Sequence, residues 1–158
     1  MPVLLLKNQK KNVGKLEICN QTETSADLNI FGDIVSDAWG KWSDDDTCPS
    51  DISDFLKNLE GVQEINLHIN SGGGSVFAGI AIYNMLKRNN ARITTYIDGI
   101  AASIASVIAC AGDRIVIPAN GTFMIHKPTN GYFFTSMNAD QLRKDANTLD
   151  ICQKAILQ

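Results

Sequence analysis

Strand-like and helix-like patterns alternate along this chain, and this alternation limits its possible folds more than any other feature. Apolar and polar residues alternate from Ile65 to Asn70, and a helical pattern follows at about Val76 to Lys87. A β-branched run from Arg92 to Ile97 then leads into a run of small apolar residues, Ala101 to Ala111, typical of a buried helix. Because helices between parallel strands form right-handed crossovers, this order predicts an α/β fold with a mostly parallel sheet and flanking helices.

Further segments extend this pattern on both sides. We predict a strand over Asp27 to Phe31 and another over Thr122 to His126, the second ended by Pro128. A short helix capped by Ser50 or Asp51 lies between the first strand and the alternating run. The segment from Asp37 to Pro49 is rich in Trp and Asp, and we expect it to form an exposed acidic loop.

A C-terminal helix is predicted from Asn138 to Gln158. It opens with Asn138 and Gln141 at the spacing of a capping box. It carries one apolar face, formed by Leu142, Ala146, Leu149, Cys152 and Ile156. No stop signal ends it, so we expect downstream sequence or another subunit to cover that face.

Two strand-to-helix turns carry residues suited to acyl-transfer chemistry. Gly72, Gly73 and Gly74 permit positive φ angles and let backbone N–H groups approach a ligand closely. Ser103 follows the second strand and opens the apolar helix, where backbone N–H groups lack helical partners. In parallel sheets both turns lie at the carboxyl edge, where such folds place ligand sites. A packing role for either turn alone remains an alternative.

A serine needs a base to become nucleophilic, and the chain has two histidines. His126 ends a predicted strand and is the better candidate base. His68 lies on the alternating strand, opposite its apolar face, and reads as a polar strand residue. A phosphate-binding role for the glycine run is disfavoured, because no Gly-Lys-Ser/Thr follows it.

Four segments together resemble the ClpP serine peptidases in order, spacing and local structure, from about Asp27 onward. They are Ile69–Gly74, Ala78–Tyr83, Gly99–Ser103 and Met124–Pro128. The Trp/Asp-rich insertion makes the chain most similar to the ClpP-like head-maturation proteases of tailed phages and prophages. The resemblance implies a ClpP/crotonase-like fold whose C-terminal helix serves as a handle, and it makes Gly32 to Ile34 the turn after the first strand.

The same resemblance assigns roles to four residues. It makes Ser103 the nucleophile and His126 the general base, and it assigns the oxyanion hole to the backbone N–H groups of Gly74 and Ile104. The chain departs from the family at Gly72, where the family usually has Pro.

The family's third catalytic residue, an aspartate well beyond the histidine, is not matched within the chain. Asp140, Asp145 and Asp150 fall on the predicted C-terminal helix instead. We therefore expect residues 1–158 to form a single protease domain that is C-terminally truncated or works with a Ser-His dyad.

Charge and composition limit the classes of partner and cofactor that we expect. The net charge is −3 and no dense basic cluster occurs, so nucleic acid is an unexpected partner. No apolar stretch reaches the length of a membrane span, and we expect a soluble cytoplasmic protein without a cofactor.

Cys19, Cys48, Cys110 and Cys152 lack metal-site spacing and are predicted to be free thiols. We expect no metal site; the run Asp44 to Asp46 lacks the EF-hand ligand pattern.

The favoured function is a serine endopeptidase that forms a ring-type homo-oligomer and cuts protein or peptide substrates. Phage or prophage capsid maturation, with capsid or scaffold proteins as partners, is preferred over general ATP-dependent degradation with an ATPase unfoldase. Two other classes stay open: a crotonase-type acyl-CoA enzyme on the related fold, and an inactive oligomeric scaffold.

Overall fold

The computed structural model describes residues 12–13, 16–17, 24–59, 61–132 and 134–157. The strands are β1 (Asn12–Val13), β2 (Leu16–Glu17), β3 (Ser25–Ile34), β4 (Glu64–Gly74), β5 (Arg92–Ala102), β6 (Arg114–Val116) and β7 (Thr122–Met124). The helices are α1 (Pro49–Lys57), α2 (Val76–Lys87), α3 (Ile104–Ala109) and α4 (Ala139–Ile156). Cys19 lies outside the described residues.

The main sheet has five strands, and all its pairings are parallel. Its order is β3-β4-β5-β6, and β7 also pairs with β5. β6 pairs with the first half of β5, whereas β7 pairs with its last three residues, Ile100 to Ala102. β1 and β2 form a separate antiparallel pair. The predicted α/β architecture with a mostly parallel sheet is confirmed.

Alternation along the central strands puts one face of the sheet into the core. Ile65, Leu67 and Ile69 of β4 are fully buried, as are Phe55 of α1 and Ile82 of α2. Burying one such side chain stabilises the fold by about 1.5–3 kcal/mol. The helices therefore cover the apolar face of the sheet, and the strand-to-helix turns lie at its carboxyl edge.

Two strands continue further than the sequence predicts. β4 runs through the glycines to Gly74, and β3 runs through Gly32 to Ile34, so the predicted turn at Gly32 to Ile34 is wrong. The register shifts between Phe31 and Asp33, where Gly32, with a φ of 75°, lies opposite two residues of β4, Ser71 and Gly72; beyond this bulge β3 stays paired with Gly73 and Gly74. Pairing with a neighbouring strand, rather than local pattern, decides where these strands end.

The helix beyond β5 is shorter than expected. β5 extends to Ala102, because its last residues pair with both Ser71 and β7, so α3 begins only at Ile104. Cys110 follows α3 and is exposed.

The remaining helices agree closely with the prediction, apart from one cap. α2 spans the predicted residues, and Asn138 caps α4 in a capping box with Gln141. α1 begins earlier than expected: its N-cap is Cys48 rather than Ser50 or Asp51, and the Cys48 N–H donates to the Asp51 carboxylate at 2.9 Å. Among the described helices, none is both long and apolar enough to cross a membrane.

Candidate active site

Ser103 occupies a strained backbone position between β5 and α3. Its φ and ψ are 54° and −126°, a region that residues other than glycine rarely adopt. Such strain costs about 1–3 kcal/mol and is concentrated at functional sites. The Ser103 side chain makes no capping hydrogen bond to α3, and the residue is half-buried. The turn therefore presents the Ser103 hydroxyl without using it to hold the helix.

The nearby Ser106 has a different role. Its side chain is buried, and its Oγ donates a 2.6 Å hydrogen bond to the carbonyl oxygen of Ser103. The Ser106 N–H donates to the same oxygen at 3.1 Å. Ser106 thus fixes the turn that displays Ser103, and its own hydroxyl is committed to that structural bond.

Gly73 brings the glycine turn directly against Ser103. A Cβ on Gly73 would lie 2.8 Å from the Ser103 Cβ and 3.2 Å from the backbone nitrogen of Ile104. Its φ of 103° is also unfavourable for any residue with a side chain. Gly72 differs: a Cβ there would meet nothing within 4 Å. Contact between the two turns therefore requires glycine at position 73 but not at position 72.

The N–H groups of Gly74 and Ile104 both belong to these touching turns. Ser75 donates its N–H to the Ile34 carbonyl at 2.7 Å, toward β3. Gly74 is the last residue of β4, and its φ of 140° is one that residues with a side chain rarely adopt. Ile104 is the first residue of α3, so its N–H has no acceptor four residues earlier in the helix.

β7 ties the histidine segment to the serine turn. The Ser103 N–H donates to the carbonyl of Met124, the last residue of β7, at 2.9 Å. His126 follows two residues later and is exposed. Within the described residues, no hydrogen bond joins the Ser103 hydroxyl to His126. The structure places both predicted residues at one edge without forming the Ser-His bond.

The acidic residues of α4 are engaged elsewhere or exposed. Asp140 pairs with Arg143 at 2.7 Å. Asp145 accepts a hydrogen bond from the Tyr132 hydroxyl, and this bond raises the pKa of Tyr132. Asp150 is exposed on the same helix. Within the part of the chain that the structure describes, none of them is bonded to His126.

Two clefts lie at the candidate site, one beside the glycine turn and one beside His126. One, of about 230 Å³, lies between the glycine turn and α4, and its lining includes Gly74, Ser75 and Phe77 on one side and Leu149 and Cys152 on the other. The predicted apolar face of α4 is thus partly used within the chain: Cys152 is buried. The second, of about 320 Å³, is lined by the segment 125–128, which includes His126, and by the end of α4.

His68 is a polar strand residue, as predicted. Its Nδ1 lies 2.9 Å from an Asp98 carboxylate oxygen, and its ring stacks on Tyr96 with 5.1 Å between centroids. This pairing was not predicted, although polar residues alternate along β5 as they do along β4. The described residues contain no group of three or more His, Cys, Asp or Glu side chains suited to hold a metal ion.

Residues 46–158 match the Clp protease family. The ATP-dependent Clp protease proteolytic subunit of Ligilactobacillus salivarius (strain UCC118) is 45% identical over 80 residues, which cover 49% of this chain and 40% of that protein. That of Leuconostoc citreum (strain KM20) is 39% identical over the same length. The match therefore spans less than half of these relatives.

A mutant ClpP1 from Listeria monocytogenes has a similar structure. The superposition has a TM-score of 0.60 at 24% identity, and it covers 82% of this chain and 67% of that one. At this identity the likeness supports the fold alone: a parallel α/β sheet with a C-terminal helix.

Proposed function

Because the chain belongs to the Clp protease family, we propose that it is a serine endopeptidase with Ser103 as its nucleophile. The observation that carries this proposal is the strained turn at Ser103, against which Gly73 packs so closely that only glycine fits. A packing turn has no need to hold a serine at a positive φ with its hydroxyl unused by the helix.

The proposed reaction follows from these positions. The Ser103 Oγ attacks the peptide carbonyl carbon while the His126 imidazole takes the hydroxyl proton. The N–H groups of Gly74 and Ile104 donate to the oxyanion that develops. The C–N bond then breaks, His126 gives the proton to the leaving amine, and an ester on Ser103 remains. Water, deprotonated by His126, hydrolyses this ester and restores the serine.

This mechanism requires the Ser103 hydroxyl and the His126 imidazole to come into hydrogen-bond contact. A base must come within about 2.6–3.2 Å of the proton it accepts, and such bonds are often long without substrate. The segment that bears His126 lies beyond β7, so it can turn without breaking the pairing of β7 with β5. The third catalytic residue stays unassigned; loss of the aspartate from a triad costs about 10⁴ in kcat.

For the substrates, we propose capsid or scaffold proteins of a phage or prophage head. The support is the Trp/Asp-rich insertion between β3 and α1, on which the similarity to head-maturation proteases rests. General degradation with an ATPase unfoldase is the competing role. Portal and capsid genes beside the gene for this chain would favour head maturation.

We further propose a ring-type homo-oligomer in the cytoplasm. The exposed apolar residues of α4, Leu142 and Ile151, support a contact with another subunit. Cys48, Cys110 and Cys152 are free thiols, in keeping with a reducing compartment.

Parallel hydrolysis assays test the proposed function. The protein is incubated with an unstructured polypeptide and, separately, with an acyl-CoA thioester. Cleavage of the polypeptide, lost in Ser103→Ala, supports the peptidase. Turnover of the thioester alone would identify a crotonase-type enzyme, and silence toward both would favour a non-catalytic scaffold.

A further inference from the structure

Two tryptophans on one loop are left entirely in water. Residues 35–47, here called the Trp loop, connect β3 to α1 and carry Trp39 and Trp42, which are 98% and 100% exposed. They are the only tryptophans in the sequence. Because indole rings are highly buried on average, full exposure of both marks a surface that a partner covers.

The Trp loop holds this exposed arrangement through a buried carboxylate. Asp46 accepts hydrogen bonds from the N–H groups of Asp33, Trp42 and Ser43 at 2.9–3.0 Å. These bonds, led by the one from Asp33, hold the pKa of Asp46 below its usual range. The backbone around Trp42 is therefore fixed by hydrogen bonds rather than by burial of its ring.

A second carboxylate fixes the other tryptophan. Asp37 accepts from the N–H of Trp39 at 2.9 Å and from that of Gly40 at 3.2 Å, capping a single 3₁₀ turn, Ala38–Gly40. The side chain of the following Lys41 is buried and paired with Asp51 of α1. Both indoles are thus displayed on a backbone that is ordered before any partner binds.

The Trp loop is continuous with the candidate active site. It begins where β3 ends, at the same carboxyl edge as Ser103. Ser36, near its start, hydrogen bonds through its Oγ to the Oγ of Ser75 at 3.2 Å. Ser75 also lines the 230 Å³ cleft beside Gly74. A chain that lay along this edge would meet the loop and the cleft in succession.

The charge of the Trp loop indicates what it binds. The charge of Lys41, its one basic residue, is neutralised by Asp51. Asp37 and Asp45, which lie on the same loop as the two tryptophans, are exposed. An indole face with neighbouring carboxylates attracts an Arg or Lys side chain, since the cation can stack on the ring and its charge is complemented.

Resting on the proposed peptidase function, we propose that the Trp loop is a recognition surface for the polypeptide substrate. It binds an extended segment in which Arg or Lys lies beside apolar residues, and it holds that segment next to the cleft at Gly74. The loop therefore sets which sequences reach Ser103, without taking part in bond cleavage.

The two tryptophans report on this binding directly. In the Ser103→Ala variant, an unstructured peptide with alternating Arg and Leu should give a saturable change in tryptophan emission. A matched peptide with Glu in place of Arg should give none, and added salt should weaken the response. An equal emission change with both peptides would overturn the proposal. So would an emission change that depends on protein concentration alone, because it would indicate that the tryptophans contact another copy of the chain.

Substitutions separate this proposal from the catalytic one. With a dye-labelled Arg/Leu peptide, the Trp39→Ala/Trp42→Ala pair in the Ser103→Ala background should weaken binding at least tenfold. Phe134→Ala, which removes another fully exposed aromatic side chain outside the loop, should change it less than twofold. Unchanged affinity in the double variant, with circular dichroism intact, overturns the proposal whether or not the wild-type chain is a peptidase. If the peptide binds through the tryptophans but the wild-type chain does not cleave it, the recognition surface would be supported and the proposed peptidase function would be contradicted.

Discussion

The backbone N–H of Ser103 donates to the carbonyl of Met124 at 2.9 Å, and this bond joins the two parts of the candidate active site. It ties the strained serine turn to the end of β7, two residues before His126. This contact cannot be predicted from local sequence, because the Ser103 turn meets the His126 segment only through the pairing of β7 with β5. The proposed Ser-His pair depends on it.

The first prediction concerns the close packing of Gly73 on Ser103. Gly73→Ala should force the turns apart, destabilise the fold by about 1–3 kcal/mol and reduce polypeptide cleavage at least tenfold. Gly72→Ala is the matched control: its Cβ has open space, and it should leave unfolding unchanged or stabilise by about 0.4–1 kcal/mol. Urea titration and the cleavage assay check both variants. Equal behaviour of the two would contradict the packing argument.

The second prediction concerns the base. If His126 accepts the Ser103 proton, hydrolysis of a small ester should fall as the solution becomes acidic enough to protonate imidazole. His126→Ala should reduce the rate by about 10²–10⁴ and remove this pH dependence. His68→Ala, which breaks a pair with Asp98 on the sheet face, should keep it. Loss of activity in both variants with folding intact would leave no ground for choosing His126.

The third prediction concerns acid stability of the Trp loop. The carboxylate of Asp46 has a lowered pKa because it accepts three backbone N–H bonds, first that of Asp33. Its stabilising effect is therefore complete above the unfolded value, about 3.9, and is lost as pH falls below that and through the lower folded value. Asp46→Asn should cost about 1–3 kcal/mol near neutral pH.

Urea unfolding of this variant and the wild-type chain at several pH values provides the check. The difference in unfolding free energy should shrink steadily below about pH 4, because the Asp46 carboxylate is protonated first in the unfolded chain and then, at lower pH, in the folded one. A difference that stayed constant down to pH 2 would show that the charge of Asp46 does not matter.

The fourth prediction concerns assembly through α4. Leu142 and Ile151 are more than half exposed, and apolar surface left in water costs about 25 cal/mol per Å². Leu142→Glu and Ile151→Glu should therefore reduce the assembly measured by light scattering. Lys144→Glu introduces the same side chain at an exposed polar position of α4 and should leave the assembly size unchanged. A wild-type chain that is monomeric at high micromolar concentration would refute the oligomer proposal.

Sequence patterns predicted the elements whose signals are local. α2 was predicted at its observed ends, Val76 and Lys87, and the cap at Asn138 was predicted from its spacing to Gln141. The strand ends at Gly74 and Ala102 were not predicted. Glycine and alanine carry no alternating pattern, so only their pairing partners on neighbouring strands reveal that the strands continue.

In the Trp loop, the burial of individual side chains likewise could not be predicted from sequence. Asp37 to Pro49 was predicted as an exposed acidic loop, yet Asp46, Thr47 and Cys48 are buried. In sequence, Asp46 resembles its neighbours Asp44 and Asp45; only the folded backbone brings three N–H groups to its carboxylate. Cys110 differs in the opposite direction: it belongs to the run Ala101 to Ala111 that was predicted as a buried helix, yet α3 ends at Ala109 and Cys110 is exposed.

Covalent labelling tests the central claim most directly. The wild-type chain is treated with a fluorophosphonate, and the modified residue is located by peptide mass spectrometry. A single adduct on Ser103 is predicted. It should be absent in Ser103→Ala and retained in Ser106→Ala, whose loss of one buried hydrogen bond costs about 1 kcal/mol of stability. An adduct on another serine, or no adduct on a folded chain, would contradict the assignment of Ser103 as the nucleophile.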